Sequence, residues 1–151
     1  MSEEETPQQQ ETPATGNQTF FKTLTTTVLN KIALTGTGIT KTDSWDGNTL
    51  MDGDGILVAE ILDVEQANPG LNDYFITISL VGMTQVSTDT DQEIIRKMFA
   101  ETLNSVCALQ TSDFPSGCCG ILQTGKATPR SDDDRRTFSV EFKLVFTDIT
   151  F

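Results

Sequence analysis

The chain has 151 residues, 36% of them apolar and 21% charged, enough to enclose one hydrophobic core and ordinary for a globular domain. Its formal charge of −12 and isoelectric point near 4.1 oppose binding to phosphate backbones and to anionic membrane surfaces. Histidine is absent, which excludes Ser-His-Asp and Cys-His nucleophilic arrangements and histidine-based zinc sites.

Residues 1–18 carry Glu3, Glu4, Glu5 and Glu11, no Lys or Arg, and almost nothing apolar. Such a segment cannot bury enough surface to offset its ordering entropy, so a disordered acidic tail is expected, followed by a single domain over residues 19–151. No positively charged stretch leads into an apolar run, so no secretory signal is expected. No run approaches the roughly 18 apolar residues of a membrane-spanning helix.

Over residues 19–33, Phe20, Phe21, Leu24, Val28, Leu29 and Ile32 recur at helical spacing. The threonine run lowers intrinsic propensity, so this helix must depend on packing. Asn17 or Thr19 is the expected cap. Residues 34–54, rich in Gly, Thr, Asp and Asn, read as a loop with room for one short strand around Ile39, and Trp45 as its anchor on the body or on a neighbouring subunit.

Residues 55–64 and 73–84 read as an antiparallel pair of strands joined through the turn signal Asn68-Pro69-Gly70. In the second, Tyr74, Ile76, Ile78 and Leu80 share one face, and Phe75, Thr77, Ser79 and Val81 the other. Residues 90–106 form the clearest helix: Thr90 and Glu93 match a capping box, and Ile94, Ile95, Met98, Phe99, Leu103 and Val106 line one face. Asp89 and Asp91 fit capping groups better than a catalytic carboxylate pair.

Residues 118–127 suggest a short strand. Residues 137–149 alternate strictly, with Phe138, Val140, Phe142, Leu144 and Phe146 on one face. Between these strands, Asp132, Asp133, Asp134, Arg135 and Arg136 make a charged turn. It is a candidate contact with a neighbouring subunit, the plainer reading being a solvated hairpin tip. The expected fold is α+β: a mostly antiparallel sheet of about four strands with two helices packed on one face.

Motifs with chemistry are few. Gly36-Thr37-Gly38-Ile39-Thr40-Lys41-Thr42 superficially resembles a phosphate loop, but Thr40 stands where glycine must precede the Lys-Thr pair, and no helix follows. Asp43, Asp46, Asn48, Asp52 and Asp54 cluster on a Gly-rich loop that could hold calcium. The EF-hand spacing fails, however, because Ile56 falls on a ligand position, and solvated turn residues are the favoured reading. Cys107, Cys118 and Cys119 lack C-x-x-C spacing, and adjacent cysteines pair only under strain. Inert thiols in a reducing cytosol are expected, with one of the adjacent pair towards the core and the other at the surface. No catalytic residue, cofactor or metal site is assigned.

The stretch DYFITISLVGMTQVSTDTDQEIIRKMFAETLNSV resembles the strand, acidic turn and long amphipathic helix of phage tail terminator and head–tail completion (neck) proteins. The closing TFSVEFKLVFTDI is similar to their final long strand, and the helix around FFKTLTTTVLNKI fits the same layout. The resemblance covers residues 19–151, with no counterpart for the loop 35–54 or the tail. It implies a non-enzymatic virion subunit that forms a homo-oligomeric ring, commonly a hexamer, at the tail–neck junction. The implied partners are further copies of itself and other tail or neck proteins, with no specific nucleic-acid or membrane binding. Residues 137–149 are expected to form an edge strand that joins a neighbour. A negatively charged lumen would let DNA pass without sticking. The alternatives are another phage assembly protein (capsid decoration or tail tube), a small bacterial adaptor acting through its acidic tail, and, last, a carboxylate-dependent metal hydrolase using Asp43, Asp46 and Asp54.

Overall fold

In the computed structural model, residues 6–43, 55–68, 71–85, 93–131 and 135–150 are described, with the backbone alone for residues 6–18, 124–131 and 135. The elements in chain order are α1 (Thr6–Lys31), β1 (Ile39–Thr42), β2 (Gly55–Gln66), β3 (Tyr74–Gln85), α2 (Glu93–Cys107), a 3-10 turn (Thr111–Asp113), β4 (Cys118–Ser131) and β5 (Arg135–Phe146). The strands form one five-stranded sheet in the order β1-β2-β3-β5-β4. The β1–β2 pair is parallel and the other three pairs are antiparallel. The fold is α+β, as the element order predicts, with five strands rather than four. The fifth is β1, four residues long with Ile39 as its one apolar side chain. Residues 43–54 lead from it to β2, about the dozen residues that a parallel crossover needs.

Both helices cover the same face of the sheet. From α1, Leu24, Val28 and Ile32 are essentially inaccessible, and from α2, Ile95, Met98 and Val106 are buried. They meet Ile76, Ile78 and Leu80 of β3 and the whole alternating set Phe138, Val140, Phe142, Leu144 and Phe146 of β5 in one continuous core. Each of these β5 residues is at most 1% exposed, so the strict period of two in the sequence reports one fully buried face. Edge-on ring contacts, Phe20 on Phe146 at 5.4 Å among them, seat the first helix. A smaller cluster of Ile56, Val58 and Met83 is buried on the opposite face.

Two glycines hold positions that a side chain could not. Gly82 of β3 stands opposite Phe138 of β5, and a Cβ there would fall on the Phe138 ring. Gly117 has φ 104°, accepts a hydrogen bond at its carbonyl from the Thr147 N–H at 2.9 Å, and leaves no room for a Cβ beside Ile149.

Four expectations change. First, the helix expected over 19–33 begins at Thr6, so Asn17 and Thr19 lie within it and do not cap it. Gln, Glu and Ala carry good intrinsic propensity and Pro7 stands in the first turn where its missing N–H costs little, whereas Pro13 and Gly16 are costly in the helix interior. The backbone of residues 6–18 is helical. Second, β4 runs on to Ser131, and breaks of register after Cys118 and Gln123 hide its periodicity. Third, the last strand ends at Phe146: Asp148 turns at φ 53°, and Ile149 donates its N–H to Asn72 O at 3.0 Å, folding the terminus back under the core. Fourth, that strand is not at the edge. β5 lies between β3 and β4, and the outermost long strand is β4. Five consecutive large apolar residues on one face suit a central strand, because a neighbour on each side completes their burial.

Candidate assembly surface

Of the expected charged turn, Arg135 and Arg136 belong to β5 itself, and Ser131 of β4 is in register with Arg136. Arg136 is half-buried and also opposite Thr84 of β3, and Arg135 is opposite Gln85. Asp132, Asp133 and Asp134 lie outside the described residues, as do Trp45, the Thr90 cap and the carboxylates Asp46, Asp52 and Asp54.

Where the loop residues are described, they serve the fold. Gly38 turns the chain at φ 71° into β1. Lys41 places its Nζ 2.9 Å from Leu29 O and 3.0 Å from Ile32 O, so its charge closes the C-terminal end of α1. That is where a cation complements the helix dipole, and it leaves the ammonium committed. Asp43 pairs with Lys22 at 2.7 Å and accepts from the Thr25 hydroxyl at 3.2 Å. The hydrogen bond from Lys22, against some cost of burial, holds the Asp43 carboxyl below its ordinary 3.8. At the C-terminal end of α1, Lys31 pairs with Asp113 at 3.2 Å. Asp113 also accepts from the Gln110 N–H at 2.9 Å, and that bond, more than the ion pair, lowers its pKa. The C-terminal half of α1 is therefore fastened to the loops around it.

The thiols divide as their positions dictate. Cys107 and Cys119 are exposed, and Cys118 is half-buried. Burial pushes the Cys118 thiol up, and the neighbouring Cys119 adds to that, so its nucleophilic thiolate form is suppressed. A cleft of about 210 Å³ lies between the α1–β1 connection and α2, lined by Thr35, Ile39, Glu93, Lys97, Met98 and Glu101. Its Glu101 carboxylate is already taken up: the Thr35 hydroxyl donates to it at 2.6 Å and the Thr35 N–H at 3.2 Å. The volume falls below the roughly 300 Å³ at which small-molecule sites usually begin. Among the described residues, no group of three or more Cys, Asp or Glu is placed to share a metal ion.

The surface features that stand out are the two sides of the sheet. Among the described residues, the exposed large apolar side chains are Leu62 and Val64 of β2, Leu71 in the β2–β3 turn, and Leu122 of β4. Leu62 occupies a bulge where β2 shifts register against β3, and Leu122 is opposite Lys143, whose Nζ lies 5.7 Å from the Phe75 ring centroid. β1 runs beside β2 only from Gly55 to Val58. Among the described residues, no strand lies beside residues 61–66 of β2 on that side, or beside the outer edge of β4.

The chain matches no protein-family model and no curated protein. No described helix is long and apolar enough to cross a membrane.

The sequence points to the charged turn and to Trp45 as contact residues, and not to residues 61–66 or Leu122. Their apolar content gave no separate signal, because an exposed leucine on an edge and a buried one in the centre look alike in a short apolar run.

Proposed function

We propose that this protein is a structural assembly subunit that forms a homo-oligomeric ring in a virion, of the tail terminator or head–tail joining (neck) type. The observation that supports assembly is the placing of exposed large apolar residues along both sides of an open sheet. An open edge presents unpaired backbone groups, which a protein either covers, blunts or uses to join a neighbour. The virion role is carried by the resemblance of residues 19–151 to tail terminator and neck proteins. The excess of negative charge suits a ring through which DNA must slide without adhering.

The test is the native mass of the purified full-length chain, followed by electron microscopy of the assembled species. A closed ring, of six copies if the resemblance extends to stoichiometry, that caps tail tubes or neck complexes is expected. A chain that remains monomeric at high micromolar concentration overturns the ring. Decoration of capsid shells, or stacking into long tubes, would overturn the terminator assignment and leave a different virion subunit.

A further inference from the structure

We infer that the open edge of β2 at residues 63–66 takes up an extended segment of a different protein, one that carries Lys or Arg at two alternate positions with an apolar residue between them. The inference goes beyond the ring, which joins copies of this chain to one another.

The edge is free on its outer side. β1 ends at Thr42 beside Val58, and the residue after it, Asp43, is held by Lys22 and Thr25 of α1. Among the described residues, no strand continues the lane of β1 alongside residues 61–66, and every side chain of residues 62–66 is exposed. β3 pairs with the inner side of this stretch. Each strand of an antiparallel pair turns half of its N–H and C=O groups outwards, and an added strand satisfies them. The bulge at Leu62 interrupts the ladder and confines regular pairing to residues 63–66. β1 itself pairs with β2 over four residues, so a ladder of this length already exists in the same sheet.

Charge chooses the occupant. Asp63 is opposite Thr77 and Glu65 is opposite Phe75, so both carboxylates stand on the sheet face turned away from the helices. Val64, 39% exposed and opposite Ile76, stands on the helix face. Among the described residues, neither carboxylate has an ion-pair partner, and Lys143, on the same face, lies over the Phe75 ring. An incoming strand sets two residues two positions apart against Asp63 and Glu65, and the residue between them against Val64, whichever way it runs. Unlike charges across strands favour pairing and like charges oppose it. A second copy cannot supply the match. Its own residues 63–66 would set carboxylate against carboxylate, and of the 10 basic residues in the chain no two are two positions apart. The occupant is therefore a basic–apolar–basic segment of another protein, and the net charge of −12 draws such a segment in from a distance.

The full-length chain is titrated with the peptide acetyl-TVKVKVT-amide by calorimetry, and hydrogen exchange is read at the backbone amides of residues 61–66. Two further peptides separate edge pairing from general attraction to an acidic protein. One is acetyl-TVVKKVT-amide, of the same composition with its lysines adjacent; the other is the first peptide with its backbone nitrogens methylated. The first peptide is expected to bind with a dissociation constant on the order of 100 μM and to slow exchange within residues 63–66. Both control peptides are expected to bind at least about tenfold more weakly. Asp63→Asn with Glu65→Gln is expected to weaken the first peptide about tenfold at an unchanged melting temperature. Glu93→Gln with Asp148→Asn removes the same charge elsewhere and is expected to leave that affinity as it was. If the Asp63 and Glu65 double variant fails to fold, Glu65→Gln alone must weaken binding about threefold. The inference is overturned by no binding at about 1 mM peptide, by either control peptide binding as tightly, by equal affinity in the two protein variants, or by protection confined to other strands. It is equally overturned if the edge amides are protected without peptide and lose that protection as the protein dissociates on dilution, since the occupant is then a second copy. The ring is read separately from native mass without peptide. A monomer that takes the peptide at this edge retains this inference and loses the ring; a ring that refuses it loses this inference alone.

Discussion

Gly82→Ala is the sharpest probe of how the two central strands meet the second helix. The new Cβ would fall on the Phe138 ring, within contact of Cε2 and Cζ and 2.9 Å from Cδ2, where ordinary contact begins near 3.4 Å. The ring has nowhere to go: Phe138 is 1% exposed and tilts against Phe99 with centroids 5.2 Å apart. Forcing a methyl into such a site costs about 1–3 kcal/mol. Replacing glycine restricts the unfolded chain and returns about 0.4–1 kcal/mol. The net expectation is a loss of about 1–2 kcal/mol, which for a chain of this size lowers the melting temperature by roughly 2–8 °C. Urea denaturation should show a lower midpoint with an unchanged slope. Phe138→Ala alone should cost about 3–5 kcal/mol through the cavity it leaves. In the double variant the new methyl meets no ring, so its penalty should vanish, giving a coupling of about 1–3 kcal/mol. A neutral Gly82→Ala, or a double variant whose cost is the sum of the singles, would refute the placing of that ring over that glycine.

Three further outcomes are expected. Lys41→Met removes two charge-assisted hydrogen bonds from the end of α1 and should lower unfolding stability by about 1–2 kcal/mol in denaturant titrations; no loss would mean that this end of the helix is closed by something else. The Thr102 hydroxyl is fully buried on α2, and among the described residues its Oγ1 finds no hydrogen-bond partner. Thr102→Val should therefore stabilise the fold by about 1 kcal/mol, whereas a clear destabilisation would show that the hydroxyl is bonded. Asp43→Asn tests the clasp to Lys22 through its pH dependence. Because the folded pKa is depressed, the stabilisation is fully present above the ordinary value of 3.8 and lost as pH falls through the folded value. The wild-type advantage, at most about 1 kcal/mol for so exposed a pair, should be flat at neutral pH and shrink only below about pH 4. A difference that instead grows on acidification reverses the assigned sign.

Periodicity was the most informative feature where one face of an element is wholly buried. The sets Ile76, Ile78, Leu80 and Phe138 through Phe146 were legible because alternation of side chains is a local property of an extended chain. The helix that carries Ile95, Met98 and Val106 was legible for the same reason at the helical period. β1 was barely legible, since four residues with one apolar side chain carry no period. The full extent of β4 was hidden by its register breaks, each of which moves the following side chains to the opposite face. The candidate surface was the least legible part. Arg135 and Arg136, read as part of a charged turn, belong to β5, and the apolar residues that mark the sheet's two sides had no distinguishing pattern.

The sequence by itself therefore determined the α+β class, the core faces of both helices and of the two central strands, and the absence of histidine chemistry. Each follows from composition or from a repeat along the chain. Tertiary structure alone decided strand order. Nothing local to residues 137–149 says whether one neighbour or two lie beside them, because backbone hydrogen bonds between strands are made by groups common to every residue. Placing β5 inside the sheet moved the available edges to β4 and to the second half of β2, and with them the surface on which an assembly would be built.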